Sequence, residues 1–237
     1  TDQTIFLSSF DGLRISTDGG SNWIGSKTRE NLITGLAFSP HFIADQSIIA
    51  TTYNSVPIGG GFYTSIDKGA SWTEKSTGWF NPYNGPLSAF DVDFVQNDIG
   101  SPLAVASLNH TQIGFSSDFG ENWNISFLPQ LPNIAPGDVY ITLFGLSPDF
   151  DSDHEIYLGT RTHGVLQTVD GGISWRSAPD VSPTNEITSV AVSPNYANDK
   201  IAFAANRSGE VWRTQNGGDN WSRVGSGSII KRGNESY

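Results

Sequence analysis

One eight-residue signature, Ser/Thr-x-Asp/Asn-x-Gly-x-x-Trp, occurs five times along the chain and constrains its fold more than any other feature. The copies are Ser16, Asp18, Gly20, Trp23; Ser65, Asp67, Gly69, Trp72; Ser116, Asp118, Gly120, Trp123; Thr168, Asp170, Gly172, Trp175; and Thr214, Asn216, Gly218, Trp221. Their tryptophans recur at intervals of about 50 residues, the period of a stacked or radial array of one supersecondary unit. The residue types fit a turn. A carboxylate or amide accepts from N–H groups just downstream, a hydroxyl two residues earlier joins the network, and glycine permits positive φ. The tryptophan then returns an apolar plate to the next strand, with one N–H to satisfy. Because these roles recur in every unit, they build the scaffold, and function is sought in what does not repeat.

The intervening sequence repeats as well. Ser39-Pro40-His41-Phe42, Ser147-Pro148-Asp149-Phe150 and Ser193-Pro194-Asn195-Tyr196 precede Asp45, Asp153 and Asp199, and an apolar run follows each aspartate. The signature resembles the Asp-box, or BNR repeat, of sialidases, sortilin-type receptors, photosystem II assembly factors and some xyloglucan hydrolases, and the resemblance covers nearly the whole chain. It implies an all-β fold, a single β-propeller over residues 1–237. It implies no single activity.

Composition narrows the class. A length of 237 residues suits one all-β domain. A net charge of −11 argues against nucleic acid as a partner, since no basic stripe is present. No apolar stretch reaches the roughly 18 residues of a membrane span. With no cysteine, the chain has neither disulfides nor a thiol nucleophile. It also has no methionine, an initiator included, so a processed product or a module of something longer is expected. Five sequons, at Asn109, Asn124, Asn206, Asn220 and Asn234, mildly favour an extracellular or cell-surface glycoprotein.

Each unit reads as four strands, a to d from the centre outward. The second unit runs over 32–38, 47–52, 62–65 and 72–75, and the third, fourth and fifth follow the same plan. The first has strands b to d over 4–9, 13–16 and 23–25 and lacks strand a. The segment from Ser226 to Lys231 belongs to no fifth-unit strand, so a closed five-bladed ring is expected, with this segment completing the first blade and removing two open edges. An arc of a larger propeller is the rival. The five box tryptophans are expected to be buried and equivalent.

In Asp-box propellers the boxes lie on one face and ligands meet the other. In this chain the b–c loops contribute Asp11, Tyr53, Asn54, Asn109, His110, Arg161, His163 and Arg207 to that opposite face. The d–a loops add Arg29, Glu30, Asp138, Glu186 and the segment 78–86. Trp79 and Tyr83 in that segment, with Arg161, His163 and Arg207, are the candidate ligand contacts, because aromatic and Arg anchors carry most binding energy. Asp11, Asp138 and Glu186 are available as hydrolytic carboxylates, but nothing in the sequence pairs them. Asp149, Asp151 and Asp153 alternate as ligands of a hard cation such as calcium would, without the glycine and distal Glu of an EF-hand; a solvated acidic turn is the plainer reading. No other cofactor is implied.

The leading expectation is a non-catalytic extracellular or cell-surface propeller that binds a glycan or a protein. The alternatives are a sialidase-like or other glycoside hydrolase fragment, and a structural module of a larger repeat protein, filament or assembly factor.

Overall fold

The computed structural model describes residues 3–9, 12–25, 32–53, 61–75, 88–95, 102–128, 139–181 and 186–225. The chain is nearly all β and forms five antiparallel sheets. Sheet 1 comprises β1 (Ile5–Ser9), β2 (Gly12–Ser16) and β3 (Ile24–Gly25). Sheet 2 comprises β4 (Leu32–Phe38), β5 (Ile48–Tyr53), β6 (Gly61–Ser65) and β7 (Thr73–Glu74), with α1 (Phe42–Asp45) between its first two strands. Sheet 3 holds β8 (Ala89–Phe94), β9 (Ala104–Leu108), β10 (Gln112–Ser116) and β11 (Asn124–Phe127). Sheet 4 holds β12 (Ile141–Leu146), β13 (Ile156–Thr160), β14 (Val165–Thr168) and β15 (Arg176–Ser177), with α2 (Phe150–Asp153) after β12. Sheet 5 holds β16 (Ile187–Val192), β17 (Ala202–Asn206), β18 (Val211–Thr214) and β19 (Ser222–Arg223), with α3 (Tyr196–Asp199) after β16. Sheets 2 to 5 are four-stranded meanders with each strand beside its sequence neighbour. Sheet 1 has three strands among the described residues, and the Ser226–Lys231 segment expected to complete it lies outside them.

The three short helices were not expected from sequence. Each fills an a–b connection at the Ser-Pro repeat and is held by its terminal aspartate. Asp153 accepts from the Ser147 hydroxyl (2.7 Å) and the Glu155 N–H (3.0 Å). Asp199 does the same with Ser193 (2.7 Å) and Ile201 (2.9 Å). A chain that must turn through four residues leaves N–H groups without a ladder partner, and a carboxylate satisfies them locally.

The Asp-box turns form as their chemistry requires. In the third box, Ser116 Oγ accepts from Gly120 N–H (2.8 Å) and donates to Asp118 Oδ1 (2.8 Å), which also accepts from Asn122 N–H (2.9 Å). Two successive left-handed residues carry each turn. The first is Gly19, Gly171 or Gly217 in three boxes, but Lys68 (φ 58) and Phe119 (φ 56) in the others.

The tryptophans are not equivalent. Trp221 is 4% exposed and Trp175 8%, whereas Trp23 is 38% exposed. Trp23, Trp72 and Trp123 donate Nε1–H to the carbonyl of the box glycine at 3.0–3.2 Å. The buried Nε1 atoms of Trp175 and Trp221 have no hydrogen-bond partner among the described residues. A box tryptophan is buried by the sheet before its own: Trp123 stacks on Phe62 at 4.3 Å, and Trp221 meets Tyr157 edge-on at 5.7 Å. Trp23, in the first sheet of the chain, is the most exposed of the five.

The chain divides into two compact units, Thr1–Ile125 and Ser126–Tyr237. Within the first, apolar side chains fill the layers between consecutive sheets: Leu13, Ile15, Ile33, Ala50 and Tyr63 in one, Ile49, Phe62, Val92, Ala106 and Leu108 in the next. Within the second, Tyr157, Val165, Ile187, Tyr196, Trp212 and Trp221 do the same between sheets 4 and 5. Every described a strand carries a bulge at the same place, at Thr34, Phe90, Thr142 and Thr188. The bulge turns a hydroxyl toward the next sheet: Thr34 Oγ1 donates to Ala89 O (2.6 Å) and Thr142 Oγ1 to Ile187 O (2.7 Å). Bulges re-aim side chains in this way.

Candidate functional site

An antiparallel meander puts its b–c and d–a connections at one end of the sheet and its a–b and c–d connections, the Asp-boxes included, at the other. At the end opposite the boxes, four positions correspond from sheet to sheet: Tyr53, Asn109, Arg161 and Arg207. Each lies one residue past strand b or at its end and pairs with the residue that opens strand a or lies just before it. Tyr53 is in register with Leu32, Asn109 N–H donates to Ser88 O, Arg161 N–H to Tyr140 O, and Arg207 N–H to Glu186 O. The backbone geometry repeats while the side chains range from phenol to amide to guanidinium, as on a surface that varies upon a fixed frame.

In the second unit, the Arg161 guanidinium lies over the Tyr140 ring at 5.6 Å. Arg207 is paired with Glu186, Nη1 to Oε2 at 2.9 Å, with the Arg side chain 74% exposed. His163 is fixed by its hairpin: its N–H donates to Thr160 Oγ1 (2.9 Å) and Nδ1 lies 3.0 Å from Thr162 Oγ1. Arg161 and Arg207 are thus each engaged by the strand partner of their own sheet. Glu186, offered by sequence as a hydrolytic carboxylate, has its charge met by Arg207. Trp79, Tyr83, Arg29, Asp11 and Asp138 lie outside the described residues.

In the first unit this end of the sheets carries an aromatic ladder that sequence reading missed. Phe90 stands at the bulge position where the other three a strands have threonine, and its ring lies 3.4 Å from His110, tilted 30°. Tyr53 adds a third ring 5.7 Å from Phe90 and is 42% exposed. Tyr53 and His110 were read as corner residues. Their meeting with Phe90 was hidden because a bulge inverts the alternation from which a strand's facing is read.

The proposed cation ligands do not come together. Asp149, Asp151 and Asp153 fall around the single turn of α2, and alternate residues of a helical turn point to different sides. Asp153 is already bonded to Ser147 and Glu155 and has Lys200 Nζ at 3.7 Å. No group of three or more metal-ligating side chains occurs among the described residues.

A second feature absent from the sequence reading is a buried polar network between sheets 4 and 5, on the box side. Tyr157 and Tyr196 share a hydrogen bond at 2.6 Å. Gln167 Nε2 donates to Gly217 O (2.8 Å), Tyr157 Oη (3.1 Å) and Glu155 Oε1 (3.2 Å), and Gln167 Oε1 accepts from Arg176. Glu155 is 8% exposed, and burial pushes its carboxyl above the ordinary 4.5. Corresponding positions in sheet 2 are Ser47, Ile49 and Thr64, which do not supply such a set of long polar side chains.

The sequons differ in accessibility. Asn124 and Asn220 are exposed. Asn206 is 4% exposed; its Nδ2 donates to Glu210 (2.8 Å) and its Oδ1 accepts from the N–H groups of Ser208 and Glu210. Asn109 Oδ1 accepts from Ser88 N–H, and Asn234 lies outside the described residues. No helix among the described residues is long and apolar enough to cross a membrane.

No protein-family model matches the chain, and no curated protein matches it. Solved structures do. YCF48 bound to a D1 peptide is similar over 94% of this chain and 64% of its own, with a TM-score of 0.60 and 16% identity. An ancestral GH74 enzyme matches over 94% of this chain and 30% of its own (TM-score 0.66, 19% identity). The extracellular domain of a one-component system of B. thetaiotaomicron matches over 93% and 26% (TM-score 0.63, 12% identity). The chain therefore spans less than two thirds of each. At these identities the likeness speaks for architecture alone, and that architecture is the β-propeller.

Proposed function

We propose that this chain is a non-catalytic, extracellular or cell-surface Asp-box propeller that binds a glycan or a protein segment at the end of its sheets opposite the boxes. The observation that carries the reading is the contrast between the two ends. The boxes repeat one hydrogen-bonding pattern five times, while Tyr53, Asn109, Arg161 and Arg207 vary in chemistry on a constant backbone. YCF48 with its bound peptide gives architectural precedent for a propeller that binds. Binding surfaces draw their energy from a few aromatic and Arg anchors, so the 78–86 loop (Trp79, Tyr83) and the Arg161–His163 hairpin with Arg207 are tested separately.

Glycan arrays and pull-downs with the intact chain identify the ligand. Trp79→Ala or Arg161→Ala is then expected to weaken binding by about 2 kcal/mol at an unchanged melting temperature. Full binding by both variants would move the contact away from these residues. Likeness to a GH74 enzyme keeps a hydrolase as the second reading; turnover of a sialoside or β-glucan, lost in Glu186→Gln, would replace the first. The ring itself is proposed to close through Ser226–Lys231 as the missing strand of sheet 1. Deleting residues from Gly225 onward is expected to lower the melting temperature sharply by exposing an edge, and an unchanged value would count against closure.

A further inference from the structure

Sheet 3 departs from the repeat twice at its box-distal end, and the two departures meet. The b–c hairpins of sheets 4 and 5 place glycine at their left-handed position, Gly164 (φ 67) and Gly209 (φ 79). Sheet 3 instead carries two successive non-glycine residues there, Asn109 (φ 45) and His110 (φ 60), in a turn closed by Thr111 N–H to Leu108 O at 3.1 Å. Asparagine and histidine both enter the left-handed region more readily than most residues, though glycine does so at lower cost. The second departure is Phe90, which takes the bulge position that threonine holds in the other a strands, where Thr34 and Thr142 link one sheet to the next. Together they produce one thing: an imidazole stacked on a phenyl ring at 3.4 Å, with the exposed Tyr53 beside them.

We propose that Tyr53, Phe90 and His110 form a stacking platform for an uncharged oligosaccharide, an assignment that rests on the reading of this chain as a binding propeller. The chemistry of the three side chains selects the ligand class. Phenol and imidazole can each donate and accept a hydrogen bond, which matches sugar hydroxyls that do both. A carboxylate or sulfate ligand needs cations, and the platform contains no Lys or Arg. A Lys- or Arg-rich ligand only donates and needs acceptors of opposite charge, and the platform has no carboxylate. Ring faces take up the apolar face of a pyranose, and the net charge of −11 penalises polyanions while leaving neutral sugars unaffected.

Isothermal titration of the whole chain with neutral cello-, xylo-, manno- and malto-oligosaccharides, and in parallel with a Lys/Arg-rich peptide, tests the assignment. At least one neutral series is expected to bind, and Tyr53→Ala and Phe90→Thr are each expected to weaken it roughly tenfold or more. His110→Gly is expected to weaken binding by a similar factor, because the imidazole is lost from the ladder. A lower melting temperature in His110→Gly with affinity intact would make the ladder a folding device and overturn the proposal. Full affinity in Tyr53→Ala and Phe90→Thr would overturn it by placing the sugar elsewhere. Peptide binding with no sugar binding would overturn the platform while leaving the broader binding reading standing, and silence from both probes would overturn the platform and leave the broader reading to the glycan array and pull-down.

Discussion

Two carboxylates in neighbouring sheet positions are tuned in opposite directions, and their acid–base behaviour separates box chemistry from core chemistry. Asp170 accepts from the Ser174 hydroxyl, the Ser174 N–H (2.8 Å) and the Thr168 hydroxyl (2.7 Å), which together draw its pKa from 3.8 to about 2. A folded pKa below the unfolded one gives stability that is present above pH 3.8 and lost as pH falls toward 2. Asp170→Ala is therefore expected to cost about 1 kcal/mol at neutral pH, a modest figure because water reaches the carboxylate, and clearly less near pH 2. Chemical denaturation at the two pH values measures both. Asp170→Asn should keep most of the turn, since the fifth box already uses Asn216, whose Oδ1 accepts from Asn220 N–H at 3.0 Å. Glu155 is the reverse case. Burial raises its folded pKa, so the stability linked to it is complete below its ordinary 4.5 and is lost as pH rises through the folded value. Glu155→Gln is expected to raise the melting temperature at pH 7 and leave it nearly unchanged at pH 4, read by scanning calorimetry; a fall at pH 7 would show that Lys200 more than repays the desolvation.

At the scale of the element, the box tryptophan acts through the sheet that covers it. Trp221→Ala is expected to cost about 3–5 kcal/mol, as large aromatic losses from packed sites do, and Trp23→Ala about 1–2 kcal/mol, because much of that ring already meets water. Urea unfolding of the two variants distinguishes them, and equal losses would mean that the turn matters more than the cover. Thr34→Val is expected to cost about 1 kcal/mol through the lost bond to Ala89 O. The strands were legible in the sequence because box, Ser-Pro turn and apolar run recur in fixed order: β4, β14, β16 and β18 match their expected spans, and the other ends shift by one or two residues. The helical turns were not, since four residues are too few to show a 3.6-residue period. Corner residues such as Tyr53, His110, Arg161 and Arg207 were recognisable as the part that varies. Their partners were not, because Arg207 with Glu186 and His110 with Phe90 meet through strand register and a bulge, neither of which composition encodes.

At the scale of the molecule, sheets packed in series couple most strongly to their neighbours. Trp221→Ala is expected to raise amide exchange in β13, β14 and β16–β19 while leaving β4–β7 close to wild type, as hydrogen–deuterium exchange would resolve. Uniform loss of protection would instead mean that the repeat array unfolds as one cooperative body. The buried carboxamide of Asn206 gives this architecture a sense of time. A glycosylating enzyme must take hold of that amide while the segment is still open, yet the finished fold ties Nδ2 to Glu210 and closes Oδ1 with two N–H groups. Asn124 and Asn220 stay reachable afterwards. In a secreting cell the ratio of sugar at Asn206 to sugar at Asn220 would therefore be a clock, recording how long the fifth sheet waited before it folded.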